Sequence, residues 1–358
     1  MTEISHPVRE NPTPGIGDGR NLDPSRADEH GEGASIRVDD PASAWPIPAD
    51  AQPHPDRVPT DTYYDLPVVK APPWSAYVPA YFHAGGLAGA AASLAGAVQL
   101  LGNRDHAALE RKLHWIAIAG EAVGGAFLIA DLGRPERFLN MMRVFRPTSP
   151  MNVGTWILSA AGATSGLSLL RSLTSRDATP RPTFAGITGA LAGTLLSTYT
   201  GVLLGNTSIP IWHATRRELP LWFASLSASS LASTLELLGG SPKAQTRLVR
   251  AYSIVAKAAS IAAQNAVERR AESAGVGDPL HSGRSGQMWR WSRWLSFGSF
   301  TASLFPGTRR IAGALGTASA LLSRFAIADA GRASAADPRA TFEPQRATAR
   351  ASASPRER

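Results

Sequence analysis

Residues 71–103 read APPWSAYVPAYFHAGGLAGAAASLAGAVQLLGN and contain no Asp, Glu, Lys or Arg. A helix of about 20 mostly apolar residues is long enough to cross the hydrocarbon core of a bilayer. Residues 147–170 and 182–215 also lack all four charged residue types. These three stretches predict an all-α integral membrane protein.

About eight transmembrane helices are predicted in the middle of the chain. We place them at about 76–101, 112–130, 152–171, 184–205, 219–238, 246–267, 289–305 and 309–328. The second half is less apolar, because Glu236, Lys257 and Arg324 interrupt it. We expect residues 71–331 to form one helical domain, packed as a bundle.

Small residues recur four positions apart within the predicted helices. The pairs are Gly85 and Gly89, Gly120 and Gly124, Gly162 and Gly166, and Gly189 and Gly193. This spacing lets helix backbones approach closely in lipid, where apolar side chains give no drive for association. We therefore expect tight helix packing at these positions.

The two ends of the chain differ from this middle region. Residues 1–70 are rich in Pro, Gly, Asp and Arg and show almost no apolar periodicity. Such a segment cannot bury enough apolar surface to offset its ordering entropy. We expect a disordered N-terminal tail over residues 1–70 and a polar C-terminal tail over residues 332–358.

Composition excludes several kinds of redox centre and nucleic-acid partner. The chain has no cysteine, which excludes disulfides, thiolate-held iron–sulfur clusters and thioether-linked haem. His83 is the only clear intramembrane His, so we also predict no haem and no metal site. The net charge is +8, but the cations lie mainly in tails and short loops, which favours membrane topology and lipid contact over nucleic acid.

Several motifs carry a resemblance to a known family. They are Asp131-Leu-Gly-Arg-Pro-Glu-Arg-Phe138, Pro147-Thr-Ser-Pro-Met-Asn-Val-Gly-Thr-Trp156, His83-Ala-Gly-Gly86, the stretch from Tyr199 to Trp212, and Ala330-Gly-Arg-Ala-Ser-Ala-Ala-Asp-Pro338. Over about residues 74–345 the chain resembles the NrfD family, the membrane subunit of polysulfide reductase and related complexes.

The resemblance implies an eight-helix, multi-pass anchor in the cell membrane that binds exchangeable quinone or quinol. It also implies two partner subunits. An iron–sulfur ferredoxin-like subunit would dock on the anchor and connect the quinone pool to a molybdopterin-type catalytic subunit. The substrate would then belong to a subunit other than this chain.

Four polar residues in or near the predicted spans are candidates for quinone binding. Tyr81 and His83 lie in the first helix, and Tyr199 and Asn206 lie in and after the fourth. A quinone site needs hydrogen-bond donors and a proton route, and His can serve both because its pKa is near neutrality. Each side chain could instead hydrogen-bond only to a neighbouring helix.

Glu121, Glu236 and Lys257 are candidates for proton handling, because ionisable groups within a membrane are costly and are normally paired, neutral or functional. Glu121 could accept an interhelical hydrogen bond from Ser or Thr instead. Glu236 and Lys257 could form a structural pair.

Asp131 and Arg134 are also proton-handling candidates, since they lie in the most recognisable loop motif. Asp131 ends the second helix, where the helix dipole disfavours an anion. We therefore expect Arg134 or Arg137 to compensate its charge.

Two readings from other functional classes stay open at this point. One is a secondary transporter or a proton-translocating membrane protein without a redox role. Transporters favour repeated halves with broken helices, and no convincing repeat joins the two halves of this sequence. The other is a purely structural anchor, in which Glu121 and His83 would be dispensable for electron transfer.

Overall fold

The structure is a computed structural model that describes residues 67–342, except 133, 135, 175–178 and 240–242. In these ranges there are ten α-helices and no β-strand. The helices are α1 (Tyr77–Leu101), α2 (Ala107–Asp131), α3 (Glu136–Met141), α4 (Pro150–Thr174), α5 (Phe184–Gly205), α6 (Pro210–Ala214), α7 (Glu218–Leu238), α8 (Lys243–Ser273), α9 (Gly283–Ser303) and α10 (Arg309–Ala336). Short 3-10 turns precede α2, α9 and α10.

The eight long helices correspond to the eight predicted segments, and α3 and α6 are short connections. Six of the eight, namely α1, α2, α4, α5, α7 and α10, are long and apolar enough to cross a membrane. The prediction of an all-α, multi-pass membrane protein is therefore confirmed, with eight as an approximate number of spans.

Helices α8 and α9 are too polar on average to meet the same criterion. Between Arg250 and Arg269, however, the polar residues of α8 face the protein interior. On α8 the buried polar side chains are Gln245, Ser253, Lys257, Ser260, Gln264 and Glu268. The outward face between Arg250 and Arg269 carries Ala251, Val255, Ala258, Ala259 and Ala262. This reversed polarity suits a helix in lipid, and mean hydropathy does not detect it.

The long helices pack as two groups of four. The first group consists of helices α1, α2, α4 and α5, which pack on one another. The second group consists of α7, α8, α9 and α10. Helix α1 also packs on α7 and α10, and α5 packs on α7. We call these groups the first bundle and the second bundle.

Close backbone contact occurs at several of the predicted glycines. A Cβ atom added to Gly89 would meet the carbonyl oxygen of Gly193 and would lie 2.9 Å from the amide nitrogen of Ser197. At Gly120 the added atom would lie 2.8 Å from the carbonyl oxygen of Ala84. These contacts confirm the tight packing of α1 on α2 and α5. At Gly166 nothing lies within 4 Å, so that glycine has no such packing role.

The predicted tails lie largely outside the described residues. In the described part, residues 67–70 precede α1 without helical structure, and residues 332–336 continue α10. Helix α10 thus extends beyond residue 328, where the sequence predicts its end.

Candidate functional site

Tyr81 lies in the first third of α1, with its ring packed on two glycines. A Cβ atom added to Gly124 of α2 would lie 3.2 Å from the Tyr81 Cδ2 atom, and one added to Gly85 would lie 3.1 Å from Cε2. Gly124 therefore leaves the space that the ring occupies. The Tyr81 side chain is buried, and no hydrogen bond to its hydroxyl is present in the described part of the chain.

Tyr199 of α5 lies close enough to Tyr81 to interact with it electrostatically. Its ring packs on Gly154 of α4, where an added Cβ atom would lie 2.8 Å from the Tyr199 hydroxyl oxygen. That hydroxyl donates a hydrogen bond to the carbonyl oxygen of Pro150, the first residue of α4. The two predicted site tyrosines thus both lie in the first bundle, and of the two only Tyr199 bonds to a described backbone acceptor.

Glu121 lies one helical turn from Gly124 on α2 and is buried between α2 and α4. Its Oε1 atom accepts a hydrogen bond of 3.1 Å from the Ser165 hydroxyl. Its Oε2 atom is buried and has no hydrogen-bond partner in the described residues. A Cβ atom added to Gly162 would lie 3.8 Å from Oε2, so this glycine leaves room beside it. The predicted interhelical bond to a serine is confirmed, and one carboxyl oxygen stays available.

His83 lies about 200° around α1 from Tyr81, since it follows two residues later. The ring is half-buried and lies within electrostatic range of the Arg324 guanidinium on α10. His83 therefore faces the second bundle, whereas Tyr81 and Tyr199 meet in the first. The two groups of quinone candidates do not share one helix face.

Arg324 is a buried cation that sequence reasoning noted only as an interruption of the last helix. Its Nη2 atom donates to the Phe223 carbonyl oxygen at 3.1 Å and to the Ser227 hydroxyl at 2.8 Å. The guanidinium carbon lies 4.0 Å from the centroid of the Phe223 ring. The Nε and Nη1 atoms lack hydrogen-bond partners in the described residues. The signal that could have identified it is an ionisable residue within a span.

Asn206 is exposed at the end of α5. It follows Tyr199 by seven residues, which is about 10 Å along the helix axis. The structure therefore does not bring Asn206 to the other three quinone candidates.

Asp131, at the end of α2, is held by a residue that the sequence did not indicate. Its Oδ1 atom accepts hydrogen bonds from the backbone nitrogen of Ser75, at 3.2 Å, and from the Ser75 hydroxyl. Arg134 is exposed, and the described side chains include no Asp131–Arg134 ion pair. We expected Arg134 or Arg137 to compensate Asp131; the described side chains show no pair with Arg134, and the segment before α1 supplies two neutral donors at the end of α2. The Arg137 side chain lies outside the described part.

Glu236 of α7 and Lys257 of α8 form a buried ion pair, as one reading of the sequence predicts. The Lys257 Nζ atom lies 2.5 Å from Glu236 Oε2 and donates to the Ser303 hydroxyl at 2.7 Å. The Ser303 hydroxyl donates to Glu236 Oε1 at 2.9 Å. The three side chains thus close a hydrogen-bonded ring among α7, α8 and α9.

The polar groups therefore form two separate sets inside the molecule. The first-bundle set contains Tyr81, Tyr199 and Glu121. In this set the Tyr81 hydroxyl and the Glu121 Oε2 atom have no hydrogen-bond partner among the described residues. The second-bundle set contains Glu236, Lys257 and Ser303, whose polar atoms bond to one another. The first set thus offers a free donor and a free acceptor atom to a polar ligand, while Arg324 keeps two unpaired donor atoms between α7 and α10.

Comparison with known proteins gives the same assignment as the motifs. No curated protein matches the chain. Residues 60–338, well over half of the chain, match the family NrfD_2, described as polysulfide reductase. This family supplies membrane subunits of oxidoreductase complexes. The chain is a multi-pass membrane protein that belongs to the NrfD-type polysulfide reductase family.

Proposed function

We propose that this chain is the quinone-reactive membrane subunit of a multi-subunit oxidoreductase in the cell membrane. The observation that carries the proposal is the buried Glu121 carboxyl, which has one unpartnered oxygen and lies one helical turn from the glycine that packs on Tyr81. Family membership supports the same function.

The first-bundle residues suit the chemistry of a quinone head group. Reduction of a quinone to a quinol takes up two electrons and two protons. The Tyr81 hydroxyl can donate a hydrogen bond to a carbonyl oxygen, because no described residue accepts its proton. Glu121 Oε2 can hold or release a proton within reach of α1 and α4, while Ser165 orients the carboxyl through Oε1.

Tyr199 and His83 take different roles in this proposal. Tyr199 donates to the Pro150 carbonyl oxygen and packs on Gly154, so it fixes the wall of the site beside Tyr81. His83 faces Arg324 and would act at the boundary of the two bundles. Asp131, held by Ser75, would fix the end of α2.

Electrons must pass between this site and a partner subunit. The chain has no cysteine, so it cannot hold an iron–sulfur cluster by thiolates. We propose that an iron–sulfur ferredoxin-like subunit docks on it and transfers electrons to or from a molybdopterin-type catalytic subunit.

The quinone site is tested by extracting quinone from the full-length protein after purification in detergent. We expect the wild-type protein to retain quinone from the membrane. Tyr81→Phe should retain about tenfold less, because loss of one hydrogen bond to the ligand weakens binding by that order. Tyr252→Phe, on α8 in the second bundle, is the matched control and should retain as much as wild type. Equal retention by wild type, both variants and an unrelated membrane protein would contradict the proposal.

The role of Glu121 is tested with Glu121→Gln in the complete complex. The amide can still accept the Ser165 hydrogen bond but cannot take up a proton. We expect quinone to be retained and quinol-dependent turnover to fall about 100-fold, the order of a general acid–base contribution. Glu110→Gln is the control, since Glu110 lies on the same helix and accepts from Gln99 at 2.7 Å. Turnover equal to wild type in Glu121→Gln would remove Glu121 from the mechanism.

A further inference from the structure

The buried face of α8 carries a row of polar side chains that is interrupted once, by the buried Val249 between Gln245 and Ser253. Its members are Gln245, Ser253, Lys257, Ser260, Gln264 and Glu268, all less than a tenth exposed. From Ser253 onward the spacings of four, three, four and four residues keep them on one helix face. The unbroken part from Ser253 to Glu268 rises about 22 Å, and Gln245 lies about 12 Å further along the axis, against a hydrocarbon thickness of about 30 Å. We call this row the α8 polar row.

Helix α9 supplies polar partners along the same interior. Gln264 Nε2 donates to the Ser292 hydroxyl at 3.1 Å. Ser303, three turns further along α9, bonds to both Lys257 and Glu236. The outward face of α9 carries Trp291 and Trp294, which are 64% and 72% exposed. The two helices therefore share polar contacts in the interior, and the outward side of α9 carries the two tryptophans together with the exposed Gln287 and Arg290.

Two hydroxyl groups of the row have no hydrogen-bond partner. Ser253 and Ser260 are 0% and 2% exposed, and neither Oγ atom is paired with a described residue. They lie on either side of Lys257, one turn before it and one turn after it. Buried polar groups are normally satisfied by protein or by ordered water. The free hydroxyls therefore leave two hydrogen-bonding positions beside the buried charges that water can fill.

One end of the row reaches titratable groups near the surface. Glu268 pairs with Arg293, and the His281 Nδ1 atom lies 4.0 Å from Glu268 Oε1. The His281 Nε2 atom lies 3.0 Å from Glu272 Oε1, and both side chains are about half exposed. Histidine exchanges protons near neutral pH. At the other end, Gln245 Nε2 donates to the backbone oxygen of Asp105, an exposed residue, at 2.6 Å.

We propose that the α8 polar row is a hydrated proton path through the second bundle. Protons exchange with the surface at His281, Glu272 and Glu268, and they leave at the Gln245 end. The ring of Lys257, Ser303 and Glu236 is the relay in the middle. There Lys257 Nζ gives a proton to the Ser303 oxygen while the Ser303 hydroxyl gives its own proton to Glu236 Oε1; Glu236 then passes a proton to water on the Gln245 side and Lys257 takes one from water on the Ser260 side, which restores the ion pair.

This path is a function beyond the quinone chemistry and does not depend on it. The first-bundle residues Tyr81, Tyr199 and Glu121 take no part in the row. The competing explanation is a structural role alone, in which the Lys257–Glu236 pair holds α7 and α8 together and the interior is dry. The two explanations differ in whether water reaches Ser253 and Ser260.

Hydration is tested by cysteine accessibility, because the chain has no cysteine of its own. Single variants Ser253→Cys and Ser260→Cys are treated with silver ions in proteoliposomes, and free thiols are counted after denaturation. Matched controls are Ala258→Cys and Ala259→Cys, which face outward at the same depth of the same helix. We expect the two interior thiols to react about tenfold faster, because only thiolates react and a thiol in lipid cannot ionise. Equal or slower reaction would overturn the proposal.

Conduction is tested in proteoliposomes of the full chain without added quinone. A potassium diffusion potential drives protons inward, and an entrapped dye reports internal pH. We expect wild-type vesicles to acidify faster than protein-free vesicles. Gln264→Leu and the double variant Glu236→Gln/Lys257→Met should fall to the protein-free rate.

The control for this experiment is Gln99→Leu, a buried glutamine of the first bundle. It should acidify like wild type. Retained quinone and a monodisperse elution profile report folding of each variant. Wild-type vesicles no faster than protein-free ones, or a Gln264→Leu variant as fast as wild type, would overturn the path and leave the quinone site unaffected.

Discussion

At the scale of single residues, the Glu236–Lys257 pair is a contact whose loss should lower the stability of the protein. Both side chains are almost completely buried, and Ser303 bonds to each of them. Removing one partner leaves an uncompensated buried charge, which costs about 3–5 kcal/mol, whereas removing both can be nearly neutral.

We therefore expect Lys257→Met to lower thermal stability strongly and Glu236→Gln/Lys257→Met to recover most of the loss. Thermal unfolding in detergent measures both variants. Arg269→Met, at an exposed position of α8, is the control and should change stability little. A double variant at least as unstable as Lys257→Met would contradict the expected pairing of the two charges.

For Arg324, the sequence shows a charged residue within a span but not its hydrogen-bond partners. A charged residue within the last span is visible in the sequence, but its hydrogen bonds to Phe223 and Ser227 depend on how α7 meets α10. Asp131 is a similar case. The sequence indicates Arg134 or Arg137 as nearby partners, and Ser75, 56 residues away in sequence, supplies hydrogen-bond donors.

At the scale of helices, close packing of α1 on α5 depends on the absence of side chains. A methyl group on Gly89 would meet the Gly193 carbonyl oxygen, whereas one on Gly166 would meet nothing within 4 Å. We expect Gly89→Ala to destabilise the protein by about 1–3 kcal/mol, the range for overpacking. Gly166→Ala should be neutral or stabilising by up to about 1 kcal/mol, because Ala has the higher helix propensity.

Thermal unfolding of the two glycine variants in the same detergent measures this difference. Equal stability of the two variants would mean that α1 and α5 can move apart to admit a methyl group at no cost in the free energy of unfolding. The sequence predicted this packing because small residues recur four apart. It could not distinguish Gly89 from Gly166, since the same spacing occurs where no partner helix approaches.

At this scale, mean hydropathy does not identify helices α8 and α9 as membrane spans. Sequence reasoning placed both segments, but neither meets the apolar criterion for a span. Mean hydropathy adds the two faces of a helix, so it cannot report that Lys257 faces inward while Val255 faces outward. Which side of α8 faces the interior is determined by how the helices pack in the bundle.

At the scale of the whole molecule, the two bundles separate two kinds of polar chemistry. The first holds Tyr81 and Glu121 with free hydrogen-bonding atoms, and the second holds the α8 polar row. The family and the membrane fold could be predicted from loop motifs and uncharged stretches. The division of the site residues between bundles could not, because His83 and Tyr81 are two residues apart yet face different bundles.

The central claim is that this chain is a quinone-reactive subunit of a redox complex. It is tested most directly by affinity purification of the tagged full-length protein from solubilised membranes, followed by mass spectrometry of proteins and extracted quinone. We predict recovery of an iron–sulfur subunit, a molybdopterin-type enzyme and bound quinone. Recovery of the chain alone, without redox subunits and without quinone, would contradict the claim.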